Sequence, residues 1–181
     1  KRQFRYRSAP AIMRMNPSGR ACIMPPNDRR HQAARSRYVR SPVNSARSNS
    51  TSTATALADG KAIGWHSGRM EFGPRALGGR SILADPRKAE MKNILNEKIK
   101  HREGYRPFAP MILEDHFSQY FVSSVESHEY MLQTAECTPL AKEQIPAVVH
   151  IDETARVQTA NPNIGKAYEI LDAFYSLTGV P

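Results

Sequence analysis

Cysteine is scarce in this chain: Cys22 and Cys137 are the only two among 181 residues. Two cysteines make neither a disulfide framework nor a metal-binding knuckle, and they point to a reducing, cytoplasmic setting. Long apolar runs are missing as well. Nothing approaches the ~20 residues that cross a bilayer, so no membrane partner is expected. Residues 1–30 carry charge without an apolar centre, and no secretory signal is expected there. Acidic side chains are rare in the first third. Residues 1–60 hold 12 Lys and Arg against 2 Asp and Glu, whereas residues 61–181 hold 14 against 15. The net charge of +9 therefore belongs to the first third, and the rest cannot be read as a nucleic-acid binder from its charge. A chain that opens on Lys1 rather than Met also reads as a piece of a longer protein.

Residues 1–53 are rich in Arg, Ser, Pro and Asn and show no sustained helical or strand period, and residues 45–55 are a polar low-complexity run. The expectation for 1–53 is a basic, disordered tail. From residue 54 the texture is that of a folded α/β (α+β) domain without internal repeats. Residues 54–57 read as a helix end, stopped by Asp59-Gly60. Strands are expected over 61–65 and 80–83. Asp85-Pro86 reads as an N-cap with proline in the first turn, opening a helix on Met91, Ile94, Leu95 and Ile99 that Gly104 ends. Residues 106–113 hold Pro107 and Pro110 and must be extended. A short helix over 114–121 should bury Phe117, Tyr120 and Phe121. Strands follow at 145–151 and 155–159, with a turn at 152–154. The last helix, 164–178, should bury Ala167, Tyr168, Leu171, Phe174 and Tyr175 before Gly179 stops it.

What is abundant is arginine among glycines. Residues 64–87 run GWHSGRMEFGPRALGGRSILADPR, with Arg69, Arg75, Arg80 and Arg87 in a turn-rich stretch. Glycine lets backbone approach a ligand closely, and the planar guanidinium binds phosphate or carboxylate through two donors. No Gly-Lys-Ser or Gly-Lys-Thr follows, so this is no Walker loop. Further cations, Lys100, Arg102, Arg106 and Arg156, also sit near element ends. Each alone reads as surface charge, and Lys98 as a complement to a helix dipole. The set Arg75, Lys100 and Arg106 reads as a site for an anionic small molecule, because Arg106 lies on a proline-pinned backbone that preorganises a donor. His150 and Asp152 are too few for a metal site. His116 and His128 are expected to face solvent, Cys137 lacks a histidine partner for nucleophilic work, and Trp65 is expected in the core.

These motifs resemble a known family. Gly64-Trp65, residues 68–78, Arg80–Leu83, Asp85-Pro86-Arg87, Asn96, Lys100, Arg102-Glu103, residues 105–110, His150-Ile151-Asp152, residues 155–158 and Thr178-Gly179-Val180-Pro181 look like the C-terminal domain of the NodU-type O-carbamoyltransferases. That group includes nodulation protein U and antibiotic-tailoring carbamoyltransferases. The resemblance covers residues 54–181. It implies a YrdC-like twisted mixed sheet with helices. It also implies a domain that takes carbamoyl phosphate and ATP, with Mg²⁺, and forms a carbamoyl-adenylate. Arg75, Lys100, Arg106 and Arg156 would then neutralise the phosphates of both substrates, with Lys100 and Arg106 stabilising charge in the reaction. A separate N-terminal domain, iron-bearing in this family, would pass the carbamoyl group to a hydroxyl acceptor such as a nodulation factor. In the family an Asn-Thr-Ser-Phe-Asn segment of the nucleotide site follows Thr-Gly-Val-Pro. Two other classes compete: an RNA-binding module that uses the basic tail, which lacks interleaved aromatics for base stacking, and an inert truncated remnant.

Overall fold

The computed structural model describes Cys22–Ile23 and residues 46–181 except Glu126. Most of the expected tail, residues 1–21 and 24–45, lies outside the described residues. The part of it that is described corrects the expectation: helix α1 spans Ala46–Ala58 and runs straight across residue 53. Its inward positions are Ser50, Thr53, Ala54 and Leu57, a stripe at helical spacing whose members are mostly small or hydroxylated. Small side chains let α1 pack closely on α5, Lys166–Thr178. Ser50 Oγ donates to Glu169 Oε2 at 2.8 Å across that contact. The helix ends where expected, with Gly60 at φ +81 and its N–H donating to the Leu57 carbonyl at 2.7 Å.

Strand β2, Ile63–His66, pairs antiparallel with β3, Arg80–Leu83, setting Ile63 opposite Leu83 and Trp65 opposite Ser81. Strand β1, Cys22–Ile23, adds to the other edge of β2. The arginine–glycine stretch is the connection between β2 and β3. The next helix, α2, begins only at Glu90 and ends at Ile94, passing into a wider π-type stretch over Leu95–Lys100. The Asp85-Pro86 signal is not its start, because the Asp85 carboxylate accepts from the Arg87 N–H at 2.9 Å and grips the Arg87 guanidinium. The helix stops at His101, which takes a left-handed conformation at φ 49, three residues before Gly104.

Strand β4, Met111–Leu113, lies parallel to β8, Gln158–Ala160. A 3₁₀ turn over Glu114–His116 leads into α3, Phe117–Tyr120. Strands β5, Phe121–Val122, β6, Ala135–Cys137, and β7, Thr154–Ala155, form a third, antiparallel sheet. Thr138 caps α4, Pro139–Gln144, its hydroxyl accepting from the Ala141 N–H at 3.3 Å. The apolar run 145–151 is not a strand: Pro146–Val148 forms a 3₁₀ turn, since Pro146 has no N–H to give a ladder. The α/β expectation holds, with the strands divided among three sheets of two or three. Ile63, Trp65, Ile112, Phe121, Val157, Ile170 and Phe174 share one core. On α5 the buried face is Ala167, Ile170 and Phe174, with Tyr168, Leu171 and Tyr175 at its margin. No helix among the described residues is long and apolar enough to cross a membrane.

His128 is buried rather than solvent-facing. Its ring stacks on Phe117 at 4.8 Å, and Nε2 lies 2.9 Å from Ser123 Oγ. Burial holds its pKa below the ordinary histidine value. The folded state therefore binds a proton less readily than the unfolded chain, and folding stability should rise with pH through the window just below about 6.5. Unfolding free energies measured across that window should show this positive slope, and His128→Gln should flatten it. An identical slope in both proteins would place its origin elsewhere.

Candidate anion site

The connection between β2 and β3 is built around one acid, Glu71. Its carboxylate accepts from the Leu77 N–H at 3.2 Å and from the Gly79 N–H at 2.9 Å, and lies 3.7 Å from Arg80 Nε. Ser67 N–H donates to the Gly79 carbonyl at 2.8 Å and closes the neck of the loop. Arg80 then donates to the Gly73 carbonyl at 2.7 Å. From below, Gln158 Nε2 donates to the Leu77 carbonyl at 3.0 Å. Peptide groups on either side of Leu77 are thus held by two different elements, and Arg75 stands two residues away. Gly78 completes the fit at φ +106, where a Cβ would come within 2.9 Å of Ala167 Cβ. Met70, Phe72 and Arg75 point outward from this pinned loop, with Phe72 wholly exposed.

Arg156 comes from the short segment between β7 and β8. Val157 and Gln158 are fully buried, and Arg156 is partly buried beside them. The Arg156 Nε is buried and has no hydrogen-bond partner. Burial, and next the charge of Arg75, push the Arg156 guanidinium below its ordinary value. Among the described residues no carboxylate forms an ion pair with either of them. A guanidinium with a buried, unpartnered nitrogen, opposed by a second cation and paired with no acid, is a place that an anion would neutralise.

Lys100, the last residue of the π-type stretch, and Arg106 flank a second loop, organised by Asn96, which is completely buried. Asn96 Nδ2 donates to the carbonyls of Gly104 at 3.3 Å and Arg106 at 3.0 Å, and its Oδ1 accepts from Arg102 Nε at 2.7 Å. Lys100 is exposed at the last turn, just before left-handed His101. Arg106 is half-exposed, with its Nε 2.8 Å from Glu103 Oε2. No hydrogen bond joins this pair to Arg75 and Arg156 among the described residues. Arg80, Arg87 and Arg102 are committed elsewhere: to Glu71 and Gly73, to Asp85, and to Asn96 and the Phe108 ring at 4.7 Å.

The organisers Glu71, Asn96 and Gln158 lie within the motifs quoted above, but the sequence assigned them no role. Glu71 left a trace, as one of only two acids, with Asp85, among the arginines of residues 64–87. His150 and Asp152 prove to be turn-formers. Asp152 Oδ1 accepts from the Thr154 N–H at 3.1 Å and hydroxyl at 2.7 Å and meets His150 Nδ1 at 3.0 Å, contacts that lower its pKa. Burial raises the Cys137 thiol, which leaves it poorly nucleophilic. Among the described residues no group of three or more His, Cys, Asp or Glu is placed to hold a metal.

The family model described as "Carbamoyltransferase C-terminus" matches residues 54–181. Nodulation protein NolNO of Sinorhizobium fredii is 48% identical over 128 residues, which is 69% of this chain and 19% of that protein. Nodulation protein NolO of Bradyrhizobium diazoefficiens is 42% identical over 134 residues, 72% of this chain and 24% of that protein. Nodulation protein U of Rhizobium tropici is 46% identical over 129 residues, 71% and 22% of the two chains. The matched stretch is thus less than a quarter of each relative's length.

Proposed function

The chain belongs to the carbamoyltransferase C-terminal family, and from that premise we propose that residues 54–181 bind carbamoyl phosphate and ATP and join them into carbamoyl-adenylate. The overall balance takes one water: carbamoyl phosphate, ATP and water give carbamoyl-adenylate, pyrophosphate and phosphate. The observation that supports this reading is Arg156, whose buried Nε has no partner and whose charge Arg75 opposes, with no acid paired to either among the described residues. Both substrates are phosphate anions, and paired guanidiniums suit their oxygens in number and geometry. In this reading Arg75 and Arg156 hold phosphoryl oxygens, and Lys100 and Arg106 stabilise charge that develops as the α-phosphorus is attacked. Glu103 would release Arg106 as substrate oxygens replace its carboxylate. Mg²⁺ would be carried in on the nucleotide's phosphates. The remaining part of the relatives' length would supply transfer to a hydroxyl acceptor, a nodulation factor being one candidate.

Calorimetric titration of the chain with carbamoyl phosphate and with ATP tests this. Binding of both is expected. Arg75→Ala and Arg156→Ala should each weaken carbamoyl phosphate by about 30-fold, the loss of one good charge-assisted contact. Pyrophosphate release from the two substrates together should fall in Lys100→Ala and Arg106→Ala. A folded chain without affinity for either substrate would overturn the reading and mark the domain as inert.

A further inference from the structure

Arg75 and Arg156 each stand two residues from one contact that joins their segments, in which Gln158 Nε2 donates to the Leu77 carbonyl. Arg156 precedes Gln158 by two residues, at the entry to β8. Gln158 is completely buried. Its backbone N–H donates to the Pro110 carbonyl at 2.9 Å, which ties the start of β8 to the residue before β4. Its side-chain Nε2 donates to the Leu77 carbonyl at 3.0 Å. Because a carbonyl can only accept, that contact also settles which end of the carboxamide is which. The other end, Oε1, is buried and has no partner. A buried acceptor without a donor is costly, and a methionine would fill similar volume without that cost. The contact at Leu77 is the one thing a methionine could not make.

We propose that Gln158 is a positioning residue for the anion site: by holding the Leu77 carbonyl it sets Arg75 against Arg156. The inference rests on the anion reading above and adds to it the device that preorganises the pair. Glu71 grips the same stretch from its N–H groups, so the loop is held from both sides of its peptide planes. Without Gln158, repulsion between the two guanidiniums is free to move Arg75 outward into water, since the rest of Arg75 is exposed. Gln158 touches no substrate in this account. It acts through Arg75, and that is what separates it from a residue that merely supports the fold.

A double-mutant cycle reads this out. Gln158→Met in the full 181-residue chain should keep a cooperative thermal transition and bind carbamoyl phosphate about tenfold more weakly, the typical worth of one hydrogen bond expressed as affinity. In the Arg75→Ala background the same change should alter affinity by less than about twofold, because coupled residues are not additive. Equal losses on both backgrounds, or no loss on either, would overturn the inference. Should Gln158→Met not fold, Gln158→Leu takes its place in the same cycle. The two levels fail differently. If the parent binds neither carbamoyl phosphate nor ATP, the anion reading itself falls. If the parent binds and Arg75→Ala weakens it while Gln158→Met does not, only the positioning role falls.

Discussion

Asp85→Ala should cost about 3 kcal/mol of stability, the lower end of what breaking a buried ion pair costs, and should lower the melting temperature by roughly 10 °C. Asp85 has no exposed surface, whereas the Arg87 side chain keeps about a third of its own. The carboxylate accepts four contacts from one residue: the Arg87 N–H at 2.9 Å, Nε at 3.0 and 3.1 Å, and a terminal nitrogen at 2.8 Å. The same guanidinium donates to the Ala58 carbonyl at the end of α1 and lies over the Phe174 ring of α5 at 5.4 Å. One ion pair therefore clips the end of β3 to both long helices. Alanine leaves that guanidinium facing apolar surface without its counter-charge, which is why the effect exceeds that of an exposed pair. Partial exposure of Arg87 lets water reach it, which is why the lower end applies. Asp85→Asn retains an acceptor for the Arg87 N–H and should lose about half as much, the part that depends on charge. Thermal melts of the parent and both variants check the order. Equal melting temperatures for Asp85→Ala and the parent would show that the clip contributes nothing.

Asp85-Pro86 has the sequence of a helix cap, yet the Asp85 carboxylate is taken by Arg87 instead. Asp-Pro is a common helix opening, but a carboxylate two residues before an arginine can be captured by it, and only the packing of α1 and α5 decides which happens. The same kind of decision hid most of α1. Its inward stripe of Ser50, Thr53, Ala54 and Leu57 carries too little apolar character to show as a period, so residues 45–55 looked like loose polar chain. What settles that helix is α5 beside it, including Glu169 waiting for the Ser50 hydroxyl. By contrast β2, β3 and α5 were legible, because Gly60 and Gly179 punctuate the chain where left-handed φ is needed. The apolar run from Ile145 misled because burial alone does not distinguish a strand from a 3₁₀ turn, and Pro146 tipped it.

The candidate site was legible as chemistry and illegible as architecture. Arginines among glycines announced an anion, and Arg75 is one of the influences that lower the Arg156 pKa. Which arginines are free to serve was not readable, since Arg80, Arg87 and Arg102 differ from Arg75 only in having found partners. Those partners, Glu71, Asp85 and Asn96, sit between two and nine positions away in sequence, yet each contact depends on a loop closing in three dimensions. Gln158 is farther still, 81 residues from the carbonyl it holds. The 155–158 motif includes it, but no local pattern shows that contact.

Gly78→Ala should be the most damaging single methyl in the arginine–glycine loop, and Gly68→Ala supplies the comparison. Both glycines have positive φ, +106 and +75, so an L side chain is strained at either position. At Gly68 nothing lies within 4 Å of the added Cβ, and strain alone should cost about 1 kcal/mol. At Gly78 the Cβ would meet Ala167 Cβ at 2.9 Å and Met111 Cε at 3.3 Å. The methionine tip can swing away, but Ala167 Cβ is fixed to the first turn of α5 and cannot. Strain and overpacking together should cost about 3 kcal/mol. The relief available to the loop is to lift off α5, and lifting stretches the contacts that Glu71 makes to Leu77 and Gly79 and that Gln158 makes to Leu77. Gly78→Ala should therefore lose carbamoyl phosphate affinity as well as stability, whereas Gly68→Ala, outside the Glu71–Gln158 grip, should lose stability alone. Denaturant midpoints give the first comparison and calorimetric titration the second. Equal stability losses at the two positions would mean that the backbone conformation, and not the close approach to α5, is what demands glycine at Gly78.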